Sequence, residues 1–252
     1  MNTLGAALGY GLLASSALVL GALAGALWRP PKRLTGTLLA FASGTLIAAV
    51  ALELLPQARA LSGLWRAALG LLAGAATFVL LNTWIDRKAA PVASRGAQAG
   101  AKEPRPEVLG EASRGLGLAL LASVTLDGLP ENLALGASLH TGASLALLIA
   151  IFASNLPEAM AGAVAMRESG RGRRFAVGIW SAAALVLTAA VLLGHASGDI
   201  DPRWLGAALA FAGGAVLASL ADTLMPEAFE RGRPYNAFAT CAGFFLSFAL
   251  TG

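Results

Sequence analysis

The 252-residue sequence contains a single cysteine, two histidines and few charged residues. The lone Cys241 excludes an internal disulfide and any metal site built from several thiolates. Asp, Glu, Lys and Arg make up 13% of the residues, whereas 57% are hydrophobic, and the mean hydropathy is +0.70. A soluble domain carries about 25% charged residues. The composition therefore predicts an integral membrane protein.

Long apolar runs account for most of the hydrophobic residues. A helix needs about 20 apolar residues to cross a bilayer core of about 30 Å. The runs do not alternate with the period of two that is typical of a membrane barrel. We therefore predict an all-α, polytopic membrane protein with eight transmembrane helices in one bundle. These predicted spans 1 to 8 cover residues 4–27, 34–55, 63–85, 115–139, 143–166, 174–195, 203–225 and 235–251.

The basic residues predict the orientation of the spans. Of the 18 Lys and Arg residues, 15 fall in the connections that follow spans 1, 3, 5 and 7. Connections rich in Lys and Arg remain in the cytoplasm. Both termini are therefore predicted to lie on the outer side of the cytoplasmic membrane. With a net charge of +4, the chain is expected to meet anionic lipid headgroups and not nucleic acid.

One connection differs from the others in length and composition. Residues 86–114 combine Pro, Gly and Ala with scattered charges, so we predict a flexible cytoplasmic linker. It separates spans 1–3, in residues 1–85, from spans 4–8, in residues 115–252. The remaining connections are short, which favours antiparallel neighbours within one membrane domain.

Two pairs of spans resemble each other. Span 2 reads FASGTLIAAVALELLPQA from Phe41, and span 7 reads FAGGAVLASLADTLMPEA from Phe211. Span 4, LDGLPENLALG, and span 5, ASNLPEAMAG, share Leu-Pro-Glu. The members of each pair run in opposite directions in the predicted topology, which is the inverted-repeat plan of many transporters. Chance alignment of Ala-, Gly- and Leu-rich sequence is the alternative interpretation.

Carboxylates occur inside the predicted spans, while Lys and Arg occur only near the span ends. A carboxylate at mid-bilayer costs at least about 2.5 to 3.5 kcal/mol on insertion scales. A water-filled cavity, a shared proton or a bound cation is therefore expected beside them. These acidic residues are Glu53, Asp127, Glu131, Glu158 and Asp222.

Spans 4 and 5 carry the candidate cation site. Residues four apart share one helix face, and this spacing pairs an acid or hydroxyl with a glutamate in both spans. Pro130 and Pro157 each free a backbone carbonyl at membrane depth, although a bent structural helix would explain either proline alone. The predicted site consists of Asp127, Glu131, Ser154 and Glu158, with Asn132 and Asn155 beside it.

The proline motifs, the eight-span plan and the long connection after span 3 resemble the ZIP family of divalent-metal transporters. The resemblance covers essentially the whole chain. The family motif His-Asn-x-Pro-Glu-Gly corresponds to residues 127–132, and its Pro-Glu in span 5 corresponds to residues 157–158. The chain departs from the family at Asp127, which replaces histidine, and at Gly128, which replaces asparagine. Glu53 stands where many relatives have histidine.

The resemblance implies metal import by alternating access, a homodimer, and a two-metal centre between spans 4 and 5. Its first site would use Asp127, Glu131, Ser154 and Glu158. The second site would lose one ligand at Gly128 and another at Thr223, which lies next to Asp222 and stands where the family has an acid. One metal site is therefore expected. Since the intramembrane ligands include no imidazole or thiolate, Mn²⁺, Fe²⁺ or Mg²⁺ would suit them at least as well as Zn²⁺.

The sequence thus predicts a transporter that carries a divalent metal as its substrate, with no cofactor and no enzymatic activity. A non-transporting relative that acts as a sensor or assembly partner is one alternative. An intramembrane hydrolase is a remote one, because the chain has no His-Glu-x-x-His and no evident nucleophile with a base. On the outer side, His140, His195, Asp199 and Asp201 either gather cations or are isolated polar residues at the interface.

Overall fold

The computed structural model describes residues 4–28, 30–98, 128–140, 145–168, 170–197 and 201–251, with the backbone alone for residues 85–98. These residues form helices and no strand, which confirms the predicted all-α class. The helices are α1 (Leu4–Leu27), α2 (Lys32–Ala49), α3 (Leu55–Ser62), α4 (Leu64–Gln98), α5 (128–138), α6 (Leu145–Glu168), α7 (Arg173–Ala196), α8 (Pro202–Ser219), α9 (Met225–Gly232) and α10 (Asn236–Leu250). Two π-helical turns, π1 (Val50–Leu54) and π2 (Leu220–Leu224), join α2 to α3 and α8 to α9.

Several helices are compatible with a membrane-embedded protein. Within the described residues, five helical stretches are long and apolar enough to cross a membrane, and α10 is apolar but shorter. One of the five, Lys32–Trp84, is divided at Gly63, whose φ of 76° favours glycine. The first half of predicted span 4 lies outside the described residues, so the count of eight spans stays a prediction. Helix α4 continues to Gln98 and so includes the first part of the predicted linker at residues 86–114. The rest of that linker lies outside the described residues.

The two π turns have a common local cause. The backbone N–H of Leu55 bonds to the carbonyl of Val50, and that of Met225 bonds to Leu220, five residues back in each case. A proline follows each turn, and its ring would collide with the carbonyl four residues earlier in a regular α-helix. The wider turn makes room for that carbonyl. As a result, α2–π1–α3 and α8–π2–α9 have the same segment lengths of 18, 5 and 8 residues.

The segments α2–π1–α3 and α8–π2–α9 form two helical rods, and close backbone contacts fix the neighbours of each rod. Helix α2 packs along α10, whereas α8 packs along α4. A Cβ atom on Gly44 of α2 would overlap the carbonyl oxygen of Thr240 on α10, and one on Gly214 of α8 would overlap that of Leu71 on α4. Only glycine permits this approach. The two glycines are separated by the same 170 positions as Phe41 and Phe211.

The apolar core lies where α5, α6 and α7 meet α1, π1 and α8. Buried residues from all of these elements form one hydrophobic cluster, and a smaller cluster around Trp180 joins α1, α6 and α7. Many large side chains point outward, among them Trp65, Leu80 and Phe238, each at least 70% exposed. Exposed apolar surface of this extent matches contact with lipid or another apolar partner.

Candidate metal site

Helix α5 contributes two buried polar residues to the candidate site. Glu131 is 5% exposed and Asn132 is 0% exposed. The amide Nδ2 of Asn132 donates a 2.8 Å hydrogen bond to the carbonyl of Gly128, while its Oδ1 has no hydrogen-bond partner among the described residues. Asn132 therefore presents an acceptor oxygen inside the bundle. Asp127, the first predicted ligand, lies outside the described residues.

Helix α6 contributes the other half of the candidate site. Ser154 and Asn155 are buried and Glu158 is half-buried. The Ser154 hydroxyl donates to the carbonyl of Ile151 at 3.0 Å, which leaves its oxygen lone pairs for a cation. The Nδ2 atom of Asn155 is buried without a hydrogen-bond partner among the described residues. Pro157 lies within the helix and removes one backbone donor beside these side chains.

Helices α5 and α6 both contribute apolar residues to the main hydrophobic cluster. Leu135 of α5 and Ile151 of α6 belong to the same hydrophobic cluster. A buried amide atom without a partner costs about 1 to 3 kcal/mol, and such atoms commonly bind an ordered water or an ion. The unpartnered Oδ1 atom of Asn132 therefore matches the oxygen-rich cation site that the sequence predicts, whereas the unpartnered Nδ2 atom of Asn155 is a hydrogen-bond donor and calls for an acceptor.

The remaining two candidate ligands lie in the π turns. Glu53 is half-buried in π1, and Asp222 is exposed in π2. The Oδ2 atom of Asp222 accepts a 2.7 Å hydrogen bond from Nδ2 of Asn82 on α4. The hydroxyl of Thr223 donates to the carbonyl of Ser219 in its own helix at 2.8 Å. Asp222 thus pairs with α4, a contact that sequence reasoning missed although Asn82 interrupts the apolar run FVLLNTW.

No group of three or more His, Cys, Asp or Glu side chains that could hold a metal ion occurs within the described part of the chain. A site formed there by α5 and α6 would have to draw on serine and asparagine oxygens as well as carboxylates. With Asp127 outside the described residues, the donors that can be placed are Glu131, Asn132, Ser154, Asn155 and Glu158.

A cavity of about 380 Å³ lies beside α5, between α4, α7 and α8. Its lining includes Pro130 and is apolar except for the side chains of Thr77 and Ser197. Neither Glu131 nor Asn132 lines it. This cavity offers a metal ion almost no ligands, so it is distinct from the candidate metal site.

Comparison with known proteins adds no assignment to these observations. No protein-family model matches the chain, and no curated protein matches it. The likeness to the ZIP family is therefore carried by the short motifs at residues 127–132 and 157–158, together with the helical plan.

Proposed function

We propose that the chain is a divalent transition-metal transporter of the cytoplasmic membrane that imports Zn²⁺, Mn²⁺ or Fe²⁺ by alternating access. The metal, as substrate, binds between α5 and α6. The observation that carries the proposal is the burial of Glu131 beside the unpartnered amide oxygen of Asn132 in an apolar helical bundle. Ionisable residues within membrane helices typically mark ion pathways.

The donor set favours hard or borderline metal ions. Glu131 and Glu158 offer carboxylates, Ser154 a hydroxyl, and Asn132 and Asn155 amide oxygens. Carboxylate and carbonyl ligands suit Mn²⁺, and carboxylates also bind Zn²⁺. Asp127 completes the set in the sequence-based prediction. A carboxylate ligand must be deprotonated, so metal binding to this set releases any proton that its glutamates hold.

The repeated construction of the two rods supports alternating access. Both rods have equal segment lengths, both place a π turn before a proline, and both use a glycine to contact a neighbouring helix. In the predicted topology α2 runs outward and α8 runs inward, so Glu53 of π1 lies nearer the outer surface and Asp222 of π2 nearer the cytoplasm. An inverted repeat of this kind provides two related gates on opposite sides of a central site.

The proposed protein is a multi-pass membrane protein with both termini outside, and its homodimerisation follows from the family resemblance. A non-transporting ZIP-like sensor or assembly partner would bind metal without moving it. A hydrolase would cleave a peptide or lipid in a metal-dependent manner. Flux measurements therefore separate the proposed function from both alternatives.

The test is metal uptake into proteoliposomes, screened across Zn²⁺, Mn²⁺, Fe²⁺, Co²⁺ and Cd²⁺. The variant Glu131→Gln with Glu158→Gln is expected to reduce uptake by more than about tenfold, the scale seen even for residues that only orient ligands. Glu227→Gln is the matched control, because Glu227 forms an ion pair with Arg231 on α9. Equal uptake by the double variant and the control would refute the site, and metal binding by the wild type without flux would favour the sensor.

A further inference from the structure

The two histidines of the sequence lie side by side in the structure, although 55 positions separate them. His140 follows α5, and His195 lies in the last turn of α7. Their rings are stacked, with centroids 4.7 Å apart and planes inclined by 3°. Gly136 and Gly194 bring the two helices into backbone contact just before these ends. The pairing is thus a product of the α5–α7 contact.

The hydrogen bond of His140 defines which of its nitrogens can bind a metal. Its Nε2 atom lies 2.5 Å from the backbone carbonyl oxygen of His195. Since a carbonyl can only accept, Nε2 carries the proton, and in the neutral ring Nδ1 keeps a lone pair. Metal-binding histidines usually donate their other ring N–H to a carbonyl or carboxylate, which fixes the tautomer and the ring orientation. His140 has this arrangement.

His195 supplies the second nitrogen. Its Nδ1 atom is buried and has no hydrogen-bond partner among the described residues. Asp201, which the sequence places on the same side of the membrane, is occupied elsewhere: its Oδ1 accepts a 2.8 Å hydrogen bond from the backbone N–H of Arg203 and caps α8. A buried ring nitrogen of this kind calls for a partner, and none of the described side chains or backbone groups provides one.

We propose that His140 and His195 form a binding site for a borderline divalent transition-metal ion, such as Zn²⁺, Ni²⁺ or Cu²⁺, with water as the remaining ligands. Imidazole suits these ions, in contrast to the oxygen donors on α5 and α6. The inference does not depend on transport. In the predicted topology, however, the pair lies on the outer surface, where an imported ion would arrive.

Metal binding requires the rings to tilt out of their parallel arrangement. A tetrahedral ion with metal–nitrogen distances of about 2.0 to 2.1 Å holds two nitrogens about 3.3 Å apart. The ring centroids are 4.7 Å apart and the planes are nearly parallel, so the in-plane lone pairs of the two rings converge on one ion only after a ring has tilted. The His140 side chain is exposed and has room to tilt.

The experiment uses the full chain purified in detergent, with any affinity tag removed, and Ni²⁺ as the calorimetric probe. His195→Ala removes one ligand. His140→Gln retains an N–H donor for the His195 carbonyl but lacks Nδ1, so it separates the ligand role from the helix contact. Both variants are expected to weaken Ni²⁺ binding by at least about tenfold. Glu227→Gln on α9 lies outside both proposed sites and is the control, which should retain this binding. Glu131→Gln with Glu158→Gln measures separately any Ni²⁺ that the carboxylates bind.

A second measurement does not depend on the folding of any variant. Electron paramagnetic resonance of Cu²⁺ bound to the wild-type protein should show coupling to imidazole nitrogen, and the two histidines are its only possible source. Unchanged Ni²⁺ affinity in His140→Gln, or bound Cu²⁺ without nitrogen coupling, would overturn the proposal. Loss of Ni²⁺ binding only in the carboxylate variant would also overturn it, but would leave the proposed transport site standing.

Discussion

The π1 and π2 turns share their construction but differ in the chemistry they carry. Each follows an 18-residue α-helix and precedes a proline. At matching positions π1 has Leu52 and Glu53, whereas π2 has Asp222 and Thr223. Asp222 is exposed and accepts a hydrogen bond from Asn82, while Glu53 is half-buried. The prolines and glycines at matching positions thus preserve the backbone geometry of the two rods, whereas the carboxylates stand at different positions in π1 and π2.

The largest expected effect comes from the glycines that hold both rods to their neighbours. Gly44→Leu and Gly214→Leu should each destabilise the protein by at least about 3 kcal/mol, since a side chain would collide with backbone atoms that cannot move aside. Thermal unfolding in detergent measures the effect. Gly9→Leu is the matched control, because a Cβ atom there meets nothing within 4 Å. A large loss in only one of the two rods would break the equivalence of π1 and π2.

A smaller effect is expected from the contact that distinguishes π2. Asn82→Ala removes the donor to Asp222, and a double-mutant cycle with Asp222→Ala should give a coupling of about 0.6 kcal/mol, typical of hydrogen bonds between membrane helices. Chemical unfolding of the four proteins in detergent provides the measurement. The same cycle made with Asn82→Ala and Glu53→Ala should give no coupling. Coupling of Asn82 to Glu53 instead would contradict the assignment of Asn82 to π2.

The smallest effect is expected where the rods differ at the surface. Gln57 of α3 occupies the position that matches Glu227 of α9, so Glu227→Gln makes the two rods alike at this position. It removes a 3.1 Å ion pair with Arg231, in which both side chains are about 40% exposed. An exposed pair of this spacing stabilises a helix by about 0.3 to 0.5 kcal/mol. A shift in unfolding free energy well above 1 kcal/mol would show that the pair has a role beyond the helix surface.

Hydropathy predicted the helix positions because burial in lipid and burial in a helical core require similar apolar runs. Predicted span 1, at residues 4–27, matches α1 at Leu4–Leu27, and predicted span 6, at residues 174–195, differs by one residue at each end from α7 at Arg173–Ala196. The π turns were not predicted. Proline disrupts a helix in several ways, and the choice of a wider turn depends on how the segments on either side pack.

The candidate site could be predicted only as far as single helices determine it. The four-residue spacing in spans 4 and 5 identified Glu131 and Ser154, which are buried, and Glu158, which is half-buried. It could not reveal that Asn82 bonds to Asp222, because that contact depends on which helices are neighbours. The stacking of His140 on His195 was missed for the same reason. The place of Asp127 in the site remains a prediction.

The most direct test of the central claim is saturable Mn²⁺ uptake by two variants in proteoliposomes. The first carries His140→Gln and His195→Gln, and the second adds Glu131→Gln and Glu158→Gln. Because oxygen ligands on α5 and α6 are proposed to bind the transported ion, the first variant should retain saturable uptake and the second should lose more than about nine-tenths of it. Equal uptake by the two variants would contradict the claim.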